Sequence, residues 1–497
     1  MTVLAHRATA LTRDALAVLQ PGFEGTTAPA WLLRQVAEGL TAVGLFGRNI
    51  ASPAQLAALT AQLRAERDDV LVAIDEEGGD VTRLEVRQGS SFPGNLALGA
   101  VDDTALTRDV AHELGRRLAA CGVNLNWAPS ADVNSNPDNP VIGVRSFGAD
   151  TGLAARHTAA YVSGLQAAGV AACTKHFPGH GDTNVDSHHA LPRIDVDLDT
   201  LHARELVPFR AAVAAGTKAV MSAHILVPAL DPTRPATLSP QILTGLLRKE
   251  LGYEGLIVTD GMEMNAIAGT YGIERGSVLA IAAGADAICV GGGLADEATV
   301  LRLRDALVEA VREGTLPEER LADAAARVRA LADWTRAARV DAAPGALQEG
   351  SAPGIGLTAA RRALRVSGTP AAVSRPYVAT LSPVANIAVG DETPWGVAAE
   401  LAALVPDTAS AVYPEGSAAA DILAAAGDRT IVAVVRDAHR HAWMATALAE
   451  LISARPDTVV VEMGLPRAAP TGAFHVATHG ASRVCGRAAA EAIAGTP

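Results

Sequence analysis

The chain has 497 residues, of which 49% are apolar and 19% charged. That composition excludes a disordered or low-complexity protein and leaves length for two or three domains, or one barrel with a smaller partner. Its 41 Lys and Arg stand against 54 Asp and Glu, a formal net charge of −13, which argues against nucleic acid or an anionic membrane surface as a partner.

The N-terminal stretch contains His6, Arg7, Arg13 and Asp14, which break any signal-peptide core. The most apolar long window, 277–295, is interrupted by Asp286 and by Gly291, Gly292 and Gly293, short of a membrane span of about 20 residues. Cys121, Cys173, Cys289 and Cys485 are scattered singly, without the paired spacing of a zinc ribbon or redox motif. Free, buried thiols and a cytoplasmic location are expected, with no membrane partner.

Along the chain, short apolar runs ending in polar or glycine residues alternate with Ala/Leu-rich helical stretches. A weak first run at 15–20 is followed by runs at 43–49, 70–75, 123–133, 170–176, 219–224, 255–260 and 287–292. Helices are predicted over 54–67, 105–120, 151–168, 198–215 and 239–251. This alternation implies an α/β protein with a mostly parallel sheet and helices outside it. A closed (β/α)8 TIM barrel takes about 250 residues, more with insertions, and residues 1 to about 335 suit one; a doubly wound open sheet gives the same alternation. The irregular stretches 76–99, 135–150 and 178–197 follow strand ends, where a barrel carries its functional loops.

After a last helix over 316–339 the composition shifts to Pro, Gly, Ala and Ser in VDAAPGALQEGSAPGIG, a linker. Apolar runs at 408–413, 430–435 and 458–463, with helices over 396–404, 418–426 and 443–454, predict a small α/β domain. The expected organisation is a barrel over 1–337, a linker over 338–356 and a C-terminal α/β domain over 357–497 that carries no dense chemical motif.

The richest segment is KHFPGHGDTNVDSHHALP, from Lys175 to Pro192. A metal could draw on His176, His180, Asp182, Asp186, His188 and His189, but Pro178 and Gly179 keep His176 and His180 off a common helix face. The same segment suits a proton-transfer pair in which Asp186 orients His188, since imidazole exchanges protons near neutral pH. In GLIVTDGMEM, Asp260 closes an apolar strand. There it serves as a nucleophile or charge stabiliser in a cleft, or equally as the cap of the next helix.

In IDEEGGDVTR, Asp75 can accept hydrogen bonds from hydroxyls and Arg83 can donate them, while Glu76, Glu77 and Asp80 read as a solvated loop. In NPVIGVRSFG, Arg145 stands alone in a Pro/Gly-rich loop, where most arginines are surface groups. GGGL at 291–294 is a weak signal for backbone amides that bind phosphate, against a tight turn.

Taken in order, DEEGGDVTR, NPVIGVRSFG, KHFPGHGDTNVDSH and VTDGMEM closely resemble the β-N-acetylglucosaminidase branch of glycoside hydrolase family three. The resemblance covers the whole barrel region. It implies a TIM-barrel catalytic domain with a smaller C-terminal α/β sandwich domain, Asp260 as nucleophile, and Asp186 with His188 as the general acid/base pair. It also implies that Asp75, Arg83, Arg145, Lys175 and His176 hold the non-reducing N-acetylglucosamine. No cofactor and no metal are implied.

The function expected from the resemblance is an exo-acting, retaining β-N-acetylglucosaminidase acting on cell-wall (muropeptide) or chitin fragments through a covalent glycosyl-Asp intermediate. Phosphate as acceptor in place of water, giving a phosphorylase, is the alternative, because a neutral histidine does not repel an anion. A metal-dependent barrel hydrolase and an idle sugar-binding protein are the remaining classes. Aromatic residues make up only 3%, which favours short soluble substrates over long polysaccharide.

Overall fold

The computed structural model describes residues 2–185, 191–339, 354–369, 373–384, 389–390 and 392–495. Asp186, His188, His189 and most of the expected linker, 340–353, lie outside the described residues. The chain forms two compact units: Met1–Glu76, Thr107–Pro140 and Ala149–Gly350 make the first, and Glu77–Leu106, Val141–Gly148 and Ser351–Pro497 the second.

Among its described residues the first unit carries eight short strands: β1 (Leu19–Pro21), β2 (Ala42–Leu45), β3 (Leu71–Ile74), β4 (Leu125–Asn126), β5 (Ala171–Phe177), β6 (Ala219–Ser222), β7 (Leu256–Thr259) and β8 (Ile288–Val290). Strands β2 to β7 pair in parallel in chain order, β1 pairs in parallel with β8, and a Val258–Ala287 bridge joins β7 to β8. The result is a curled parallel sheet of the (β/α)8-barrel type. The weak run at 15–20 is divided: its start closes the first helix, Thr2–Ala17, and its end opens β1.

The run at 123–133 yields only the two residues of β4. Pro129 has no N–H to offer a ladder, yet the chain stays beside β5 through bonds from Cys173 N–H to the Ala128 carbonyl and from Lys175 N–H to the Pro129 carbonyl.

Period-2 alternation sends alternate strand residues into one core, including Leu71 and Ala73, Ala171 and Cys173, Leu256 and Val258. Val328, Leu331 and Ala332 of the helix Glu318–Ala337 join that core. The expected helix over 54–67 forms as Pro53–Glu66, started by the Ser52 side chain, which accepts from Gln55 N–H, with proline at the first helical position.

The second unit holds a six-stranded sheet built from β9 (Arg365–Gly368), β10 (Pro376–Leu381), β11 (Ala409–Tyr413), β12 (Thr430–Val435), β13 (Val459–Glu462) and β14 (Phe474–Ala477). Its spatial order is β11-β10-β12-β13-β14-β9, parallel except for β9. Both faces are covered: Val378, Val432, Val434, Val459 and Val461 enter one core, and Tyr377, Ala379, Ile431, Ala433 and Val460 the other. This is an α/β sandwich.

Strands β9, β10 and β14 were not evident from periodicity. β10 opens on Pro376, permitted only as a first or edge residue, and β14 is four residues long with His475 in its middle. All four cysteines are free and buried. Among the described residues, no helix is long and apolar enough to cross a membrane.

Candidate active site

The C-terminal ends of the barrel strands carry Asp75, Lys175, His176 and Asp260. β5 is buried along all seven residues, so the Lys175 ammonium needs a charged partner. It has one in Asp75, directly after β3, with Nζ to Oδ1 at 2.5 Å. The pair is asymmetric in exposure, with the Lys175 side chain 3% and the Asp75 side chain 18% accessible.

His176, the next residue, is fixed by Asp132. The Asp132 carboxylate accepts the His176 backbone N–H at 3.2 Å, the His180 backbone N–H at 2.7 Å and the Ser130 hydroxyl at 2.9 Å, and it meets His176 Nδ1 at 2.8 Å. Burial by itself would raise the Asp132 pKa, but the adjacent His176 and these donors hold it down at about 2. An ionised carboxylate only accepts, so Nδ1 of His176 carries the proton shared with Asp132.

His180 is treated differently. Thr183 Oγ1 donates to the His180 carbonyl and lies 2.7 Å from its Nδ1. Burial and the neighbouring His176 push its pKa down to about 4, so it is neutral at physiological pH. The two rings lie 5.8 Å apart, edge to face.

The segment leading toward Asp186 and His188 is tied at Asp182 by Arg204, whose guanidinium also donates to the buried Glu205. Burial raises Glu205 to about 7, against the lowering effect of Arg204.

Asp260 follows β7 and is half-buried. Its Oδ1 accepts from Gly261 N–H at 2.7 Å. The capping alternative does not form: the next helix, Asn265–Tyr271, has Met264 at its N-cap with no side-chain cap bond. The turn after Asp260 is held by His224, whose Nε2–H donates to the Gly261 carbonyl at 2.9 Å.

The glycine turn at 291–294 is not an anion site. Gly291 and Gly292 N–H donate to the Glu263 carboxyl group and Arg48 takes both of their carbonyls, so a side chain already fills the place expected for phosphate.

Arg83 and Arg145 belong to the second unit. Arg83 is half-buried. Arg145 is buried rather than a surface group, because its guanidinium pairs in a fork with Glu77, Nη2 to Oε1 at 2.6 Å and Nε to Oε2 at 3.0 Å. The solvated-loop expectation fails for all three acids of the Glu76 segment. Glu77 and Asp80 are buried as ion-pair partners of Arg145 and Arg436, and Glu76 is buried with its backbone bonded both ways to the Asn126 side chain.

Asp132, His224 and Glu263 were not singled out from sequence. Their one linear signal is a polar residue at or just beyond the end of a predicted apolar run. Among the described residues, no group of three metal-ligating side chains converges.

Residues 27–331 match the family model described as glycosyl hydrolase family 3 N terminal domain. The beta-hexosaminidase A of Pseudoalteromonas piscicida is 38% identical over 309 residues, covering 57% of this chain and 52% of that protein. The chain thus spans about half the length of that relative. A beta-hexosaminidase of Neisseria meningitidis serogroup C (strain 053442) is 37% identical over 254 residues, 50% of this chain and 70% of that one. The solved structure of a glycoside hydrolase family 3 beta-N-acetylglucosaminidase from Paenibacillus sp. str. FPU-7 is similar with a TM-score of 0.87 at 35% identity, covering 98% of this chain and 96% of that chain.

Proposed function

The chain belongs to glycosyl hydrolase family 3, and from that premise we propose that it is a retaining exo-β-N-acetylglucosaminidase acting on short cell-wall or chitin fragments. The observation that carries the reading is Asp260 at the C-terminal end of β7, half-buried, with one oxygen oriented by Gly261 N–H. The name of the Paenibacillus enzyme supports N-acetylglucosamine as the sugar, and that of the Pseudoalteromonas enzyme supports a hexosamine.

On this reading the second oxygen of Asp260 attacks the anomeric carbon as the glycosidic C–O bond breaks, and His188, oriented by Asp186, protonates the departing oxygen. Water then gives a proton back to His188 and attacks the same carbon, breaking the ester to Asp260 and restoring the β-configuration. Asp75, Arg83, Arg145, Lys175 and His176 are the residues assigned to the sugar's hydroxyls and acetamido group. The reducing cytoplasm is assigned as the compartment, which the four free thiols support.

An NMR time course of an aryl β-N-acetylglucosaminide, with and without phosphate, tests the reading. β-N-acetylglucosamine as first product in both reactions is expected. A sugar 1-phosphate on adding phosphate makes the same machinery a phosphorylase. An α-configured first product overturns retention, and no cleavage overturns the activity.

A further inference from the structure

The C-terminal α/β domain carries no dense motif, yet its sheet has a topological switch point: β10 is flanked by β11 on one side and β12 on the other. In open parallel sheets that crevice, beyond the carboxyl ends of the strands, is where a ligand is held. Here the residue directly after β12 is Arg436, and its guanidinium pairs with the buried Asp80 at 2.5 Å while lying 5.8 Å above the Trp395 ring. The other Asp80 oxygen accepts Ala481 N–H at 2.7 Å, at the turn after β14.

The crevice therefore grips a segment of the same chain, 77–106, taken from the N-terminal half. The grip extends along the segment. Cys485 lies against the Pro93 carbonyl, Arg483 donates to the Gly89 carbonyl, and Gly356 passes Ser91 so closely that a Cβ there would meet the Ser91 carbonyl at 1.9 Å.

The same segment carries Arg83 and Glu77, the latter being the carboxylate that orients Arg145. Glu77, Asp80, Asn95, Arg145 and Gly480 line one cavity of about 10 Å³, room for a single water. Asn95 Nδ2 donates to the Arg145 carbonyl at 2.7 Å. Asp80 and the Glu77–Arg145 fork thus face the same small cavity.

We infer that Arg436 and Asp80 are positioning residues for sugar binding: the α/β domain uses its switch-point crevice to hold the loop that presents Arg83 and Arg145. The inference rests on the glycosidase reading for its kinetic effect and on geometry alone for the loop. Because substrate binding but not bond cleavage depends on these arginines, the effect falls on KM.

The test compares wild type with Arg436→Gln, Arg436→Lys and the double variant Asp80→Asn/Arg436→Gln, which leaves no unpaired buried charge. Steady-state kinetics on the aryl β-N-acetylglucosaminide and hydrogen–deuterium exchange over 77–106 and 141–148 are read on each. Arg436→Gln and the double variant are expected to raise KM about tenfold with kcat changed less than about twofold, and to speed exchange in those two segments alone. Arg436→Lys, which keeps the charge, restores part of the KM.

A folded double variant with wild-type KM and wild-type exchange overturns the inference. So does a fall in kcat at constant KM. If wild type itself fails to cleave the glycoside, the glycosidase reading falls, and the exchange pattern alone decides whether Arg436 and Asp80 hold the loop.

Discussion

Both sheets of this protein place charged residues at the carboxyl ends of parallel strands, and they use those charges differently. In the barrel, Asp75 and Asp260 follow β3 and β7 and stay partly accessible, while neighbours orient them: Lys175 beside Asp75, and Gly261 N–H on Asp260. In the α/β unit, Glu462 ends β13 and is consumed by the fold, accepting from Asp437, Ala438 and Gly464 N–H. The barrel's strand-end carboxylates thus keep partial access to solvent, whereas the α/β unit turns the same kind of residue into a tie between its own loops. The position of a carboxylate at the end of a parallel strand does not by itself decide how far the fold buries it.

The largest expected effect falls on the barrel side. Asp260→Asn should lower kcat about a thousandfold or more with an unchanged melting transition, since the amide keeps an acceptor for Gly261 N–H but is a poor nucleophile. A variant retaining near-normal turnover would end the distinction between the two sheets.

Next is Lys175→Met, which removes the cation from the Asp75 pair. Breaking so buried a pair costs about 3 kcal/mol, and kcat/KM should fall about tenfold to a hundredfold, read by thermal melts and initial rates.

Glu462→Gln should do the reverse. It is expected to lose about 1–3 kcal/mol of stability, because a backbone N–H then faces an amide N–H₂, with kcat within about twofold of wild type. A large kcat loss would move the α/β unit into the chemistry.

The smallest effect is on the pH profile of stability. Burial raises both Glu205 and Glu462 from 4.5 to about 7, with the Asp437 charge adding to the rise at Glu462. Between about pH 4.5 and 7 the native state therefore holds more protons than the unfolded chain, and the stability these two groups contribute at low pH is lost as pH rises through 7.

Burial lowers both His180 and His479 to about 4, reinforced by His176 and by Arg365 respectively. Their contribution has the opposite sign, present above 6.5 and lost as pH falls through 4. Calorimetry of wild type against Glu205→Gln/Glu462→Gln from pH 4.5 to 8 should show the wild-type midpoint declining relative to the variant as pH rises. Parallel profiles would remove the buried carboxyls as the cause.

Much of the barrel was legible in the sequence. Each apolar run from 43 to 292 became or contained a strand, because a short, β-branched apolar run bounded by polar residues and glycine suits a sheet buried on both faces. The same local logic put Asp75, Lys175, His176 and Asp260 at strand ends.

What only the tertiary structure decided was the fate of charges whose partners are distant in the chain. Glu77, Asp80 and Arg145 look solvated by themselves; Arg145 lies 68 positions from Glu77, and Asp80 meets Arg436 from the far domain sequence. The glycine amides at 291 and 292 likewise look ready for phosphate until Glu263 is seen to occupy them. Periodicity records which residues a segment must bury, since that depends on neighbours two to four positions away. Whether a charge is exposed, paired or aimed at a ligand depends on which distant group the fold brings within about 3 Å of it, and no local pattern carries that information.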